Sequence, residues 1–62
     1  MRKFMILNEH DRYLASISGD IPFYTTDPAS AWVCYDERSA KRMIEYGKNQ
    51  GKIWTIEETN GG

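Results

Sequence analysis

The chain has 62 residues, 40% of them hydrophobic and 27% charged, with a net charge of −1. That length allows one domain, and the composition is that of a globular protein rather than a disordered one. A core this small rarely supplies more than about 3–5 kcal/mol. The chain is therefore expected to form one domain at most, near the lower limit for a self-sufficient core.

Cys34 is the single cysteine, so neither an intramolecular disulfide nor a multi-cysteine zinc site can form. An unpaired thiol suits a reducing compartment, and the cytoplasm is the expected location. Arg2-Lys3 is followed only by the apolar run Phe4 to Leu7, too short for a signal sequence or a membrane span. Charge is unevenly distributed. Between Glu37 and Lys52 five cations face two carboxylates, a balance of +3 that leaves −4 for the rest.

In chain order, Lys3 to Leu7 is a short apolar strand, and Asn8-Glu9-His10-Asp11 is a polar turn. Arg12 to Ser18 alternates, with Tyr13, Ala15 and Ile17 expected on one face and Leu14, Ser16 and Ser18 on the other. Together these runs predict a hairpin. Phe23 to Thr26 reads as a brief edge strand between Pro22 and Asp27-Pro28. Thr26 or Asp27 is placed to cap a helical turn over Pro28 to Ala31, and Trp32 to Tyr35 is extended.

The main helix starts at the N-cap Asp36, with Glu37 complementing the positive end of the helix dipole and Lys48 the negative end. Ala40, Met43, Ile44 and Gly47 form its apolar stripe, and Gly51 ends it. Lys52 to Glu57 is a last strand. The predicted fold class is α+β, with order β-β-(β)-β-α-β: an antiparallel sheet of three to four strands with one helix on one face. One domain is expected over residues 1–58, followed by a flexible tail over 59–62.

No catalytic constellation emerges, and a non-enzymatic protein without cofactor or metal is the expectation. His10 lies between Glu9 and Asp11, but consecutive turn residues rarely converge on one ion. Cys34 lies between Val33 and Tyr35 as an apolar filler, and the carboxylate pairs Asp36-Glu37 and Glu57-Glu58 are sequence neighbours rather than facing groups. Glycine-rich phosphate loops are missing. The terminal Gly61-Gly62 matches a ubiquitin-like ending in two residues only, because about a dozen residues after Gly51 leave room for a single strand.

Two classes of partner remain. Trp32, Tyr46 and Trp54 are the expected aromatic anchors of a protein-binding surface, with Arg38, Lys41 and Arg42 as its charged face. The same basic face beside aromatic rings is the alternative, a nucleic-acid-binding accessory surface. A third reading is a plain homodimeric structural protein, two-fold self-association being the commonest oligomer.

The runs Tyr13-Leu14-Ala15, Tyr24-Thr25-Thr26-Asp27-Pro28-Ala29-Ser30-Ala31 and Tyr35-Asp36-Glu37-Arg38-Ser39-Ala40 resemble small proteins of bacteriophages and other mobile elements. Some anti-CRISPR inhibitors are of this general kind. The resemblance is one of overall style, covers about half of the chain and carries over no functional residue. It implies a host protein complex as partner, one that handles nucleic acid, with the surplus acid outside the helix region as a potential competitor for nucleic acid.

Overall fold

The computed structural model describes residues 2–60. Strands β1 (Arg2–Leu7), β2 (Tyr13–Ser18), β3 (Ile21–Thr25), β4 (Val33–Cys34) and β5 (Thr55–Asn60) form one antiparallel sheet. Helix α1 (Glu37–Asn49) packs against β1, β4 and β5. The α+β class is as the sequence indicates, with five strands in the sheet rather than three to four.

Strand β1 organises the sheet. One edge pairs with β5 at six positions, from Arg2↔Asn60 to Leu7↔Thr55. The other edge is shared: Leu7 pairs with Tyr13 of β2, while Phe4 and Met5 pair with Cys34 and Val33 of β4. The Trp32 N–H donates to the Leu14 carbonyl at 2.8 Å, so the chain entering β4 is wedged between β1 and β2. The predicted hairpin thus exists only at its turn and then splays. Strands β4 and β5 both run antiparallel to β1, hence parallel to each other, and α1 carries the chain from one to the other across β1.

Local chemistry sets the connections. Asn8 Oδ1 accepts the N–H groups of His10 and Arg12, both at 2.9 Å, and Asp11 takes φ 59°, a left-handed conformation that Asp tolerates. Gly19, at φ 60°, is the first residue of the two-residue β2–β3 turn and supplies the positive φ that tight hairpins need. Asp27 caps the 3₁₀ turn Pro28–Ser30 by accepting from Ala29 N–H at 3.0 Å.

A β-bulge corrects the expected faces of β2. Leu14 pairs with Tyr24 and Ser16 with Phe23, leaving Ala15 as an extra residue. The shift places Leu14 and Ile17 on the same side, against the core, and not on opposite sides as strict alternation requires. Phe4, Ile6, Leu14, Cys34, Ala40 and Trp54 form that core, with Met43, Ile44 and Tyr46 of α1 packed on it.

Strand β5 begins three residues later than the predicted Lys52 because α1 ends in a Schellman motif. Lys52 N–H donates to Gly47 O at 2.8 Å, Gly51 N–H to Lys48 O at 3.0 Å, and Gly51 adopts φ 75°. Lys52 is thereby part of the cap. Thr59 and Asn60, expected in the tail, pair with Lys3 and Arg2 in the sheet; Gly61 and Gly62 lie outside the described residues.

Candidate interaction surface

Trp54 is the clearest correction among the predicted anchors. It is 6% exposed, and its indole lies directly against the helix at Gly47. Its Nε1 donates to the Tyr24 hydroxyl at 3.0 Å. With the ring packed on Gly47, its polar edge bonded to Tyr24 and almost none of its surface exposed, Trp54 is a core residue and presents no ring to a partner.

Tyr46 is half-buried, 6.2 Å from Trp54 between ring centroids, and its hydroxyl donates to Asp20 Oδ1 at 3.1 Å. Burial first, then the contact with Asp20, raises its phenol pKa. Its main task is to tie α1 to the β2–β3 turn. Trp32 differs, with 40% of its surface exposed, and Tyr35 is 61% exposed.

Trp32 and Tyr35 line an open groove of about 450 Å³ between β4 and α1, together with Cys34, Ser39, Arg42 and Met43. Its geometry follows from the N-cap. Asp36 accepts the Ser39 N–H at 2.7 Å and the Ser39 hydroxyl at 3.0 Å, turning the chain from β4 into the helix at a fixed angle. Hydrogen bonds from Ser39, backbone first, hold the Asp36 carboxyl below its usual range. Tyr35 precedes the cap, where a hydrophobic staple would pack it on the fourth helical residue. That residue is Ala40, too small to cover a phenol ring.

Tyr35 is the residue the predicted site omits, and this Tyr-cap-Ala spacing is the signal that could have found it. The exposed Ile21 and Phe23 of β3 and the exposed Ile53 were also missed. Ile21 and Phe23 alternate with Tyr24, which packs on the core, so they face the opposite side of the sheet.

Cys34 is buried, and burial, then the nearby Asp36, raises its thiol pKa. A thiol held protonated is a poor nucleophile. It serves the groove as apolar lining.

Arg38, Lys41 and Arg42 lie on the exposed side of α1 with Glu37 and Glu45. Lys41 Nζ is 3.2 Å from Glu37, and Arg2 also approaches Glu37 at 3.7 Å. Among the described residues Arg38 and Arg42 enter no ion pair. The helix face therefore alternates in sign instead of forming a continuous basic stripe. Of the predicted residues, the groove brings Trp32 and Arg42 together, while Arg38 and Lys41 lie along the outer helix face.

No protein-family model, curated protein or solved structure matches this chain. Among the described residues no helix is long and apolar enough to cross a membrane.

Proposed function

We propose that this chain is a non-enzymatic protein-binding module whose contact surface is the Trp32–Tyr35 groove and the adjoining Arg38 and Arg42. The supporting observation is the exposure of two aromatic rings, at 40% and 61%, beside Arg38 and Arg42, which enter no ion pair among the described residues. Tyr, Trp and Arg are the side chains that most often dominate interface energetics. Arg38 adds to this reading. It occupies the first turn of α1, where a cation opposes the helix dipole, so its placement does not serve the stability of the helix.

The narrower version is an inhibitor that occupies a surface of a host defence or nucleic-acid-handling complex, in the manner of anti-CRISPR proteins. It rests on the sequence resemblance alone. The nucleic-acid alternative is less favoured because Glu37 and Glu45 interrupt the cations that would follow a phosphate backbone.

Parallel capture from bacterial lysate tests the proposal, using the native chain and a Trp32→Ser/Tyr35→Ser variant as baits, each with and without nuclease. The native bait is expected to retain a specific protein that the variant loses by about tenfold or more, with no effect of nuclease. Identical captures by both baits, or retention abolished by nuclease, would contradict it.

A further inference from the structure

Two strands of the sheet have an open edge among the described residues: β3 bonds only to β2, and β5 only to β1, whereas the side of β4 away from β1 is met by β2 through the Trp32–Leu14 bond. The two edges are not equivalent. In a two-residue hairpin closed by Ser18↔Ile21, Pro22 and Tyr24 are the β3 residues whose backbone faces away from β2. Pro22 has no N–H, so half of that outward donor row is missing, a usual device for blunting an edge. Strand β5 has no such device. Its six residues, Thr55 to Asn60, contain neither proline nor glycine, and their register with β1 is unbroken. The free edge is about 20 Å long.

Charge decides what can pair there. Glu58 lies opposite Phe4 on the helix side and is held by Arg2, which donates to it twice, at 2.7 and 3.0 Å. Glu57 lies opposite Met5 on the other side, and among the described residues no cation pairs with it. The Tyr13 phenol lies beside it, its pKa raised mainly by hydrogen bonding to Glu57, and Lys3, two residues from Met5, is on the same face of the sheet without a salt bridge to it.

A second copy is a poor occupant. Two-fold pairing of antiparallel strands keeps both helices on one side, so only residues of the same face can meet. The centre of β5 falls between Glu57 and Glu58. The two longest registers therefore set Glu57 against Glu57 or Glu58 against Glu58, and like charges directly opposite are destabilising.

We infer that the outer edge of β5 is a β-augmentation site for an extended segment of a different protein, with Lys or Arg opposite Glu57 and an apolar side chain opposite Ile56. The unpaired carboxylate selects the basic residue. Half-buried Ile56, on the helix side, extends the core row outward and selects the apolar one. This edge is separate from the Trp32–Tyr35 groove, so each can fail without the other.

The test uses the full chain, isotope-labelled for NMR, titrated with a capped peptide Thr-Val-Lys-Val-Lys-Val-Thr and with its counterpart carrying Glu for Lys. At low salt the lysine peptide is expected to bind several-fold tighter, to shift the amides of Thr55 to Asn60 and to slow their hydrogen exchange. The Glu57→Lys protein should reverse the preference, and Trp32→Ser/Tyr35→Ser should leave it unchanged. Equal binding of the two peptides, shifts centred on the groove instead of β5, or no shift at β5 at millimolar peptide would overturn the inference.

Discussion

The contact between Gly47 and Trp54 shows how one residue without a side chain decides the fate of one with the largest. A Cβ at position 47 would lie 2.3 Å from Trp54 Cε3 and 2.6 Å from Cδ2, so the ring packs where only glycine leaves space. Helix propensity alone favours Gly47→Ala by about 1 kcal/mol. Overpacking against a buried ring costs about 1–3 kcal/mol, and the ring has no free end to swing away. Urea unfolding should show Gly47→Ala to be less stable than the native protein. A gain in stability would mean that the indole does not rest on the helix. Trp54→Ala should cost about 3–5 kcal/mol, close to the whole stability of a domain this size. The two tryptophans are alike in sequence, since both lie beside β-branched residues. What separates buried Trp54 from exposed Trp32 is a glycine seven positions before the former, a contact that only the folded helix creates.

Among the elements, α1 was the most legible because its signals are local. Asp36, Glu37 and Gly51 each act on backbone within a few residues, and the helix begins and ends where they indicate. The strands were less legible, since their faces and limits depend on distant partners. The Ala15 bulge rotates part of β2, and the helix cap consumes Lys52, so β5 runs from Thr55 to Asn60 instead of Lys52 to Glu57. Two carboxylates also carry a pH dependence. Asp36 is held below its usual range chiefly by the Ser39 N–H, and Glu58 chiefly by its hydrogen bonds from Arg2. A carboxyl with a depressed native pKa contributes stability above its unfolded pKa and loses it as the pH falls through the native value. Thermal melts should thus decline steadily as the pH falls below the ordinary carboxylate range. Asp36→Asn keeps a cap of comparable quality without the titrating group, so its melting temperature should decline less. Equal declines in both proteins would mean that the Asp36 carboxylate contributes nothing to the pH dependence.

For the whole molecule, the order of elements was readable but the insertion of β4 between β1 and β2 was not. It follows from the pairing of Phe4 and Met5 with a two-residue strand 28 positions or more away, for which no local pattern exists. That insertion is what creates the groove, because it sets the Trp32-to-Tyr35 segment beside the first turns of α1. The predicted site was accordingly half legible. Trp32 and Arg42 meet, Tyr35 joins them, Tyr46 braces the fold, and Trp54 belongs to the core.

One exposed and one buried indole make the Trp32–Tyr35 surface visible to fluorescence. Acrylamide quenching of the native protein should resolve an accessible Trp32 and a protected Trp54. On saturation with a captured partner, the accessible fraction should disappear and its emission shift to the blue, as burial of Trp32 in an interface requires. A saturated complex in which Trp32 is quenched as readily as in the free chain would contradict a contact surface built on the Trp32–Tyr35 groove.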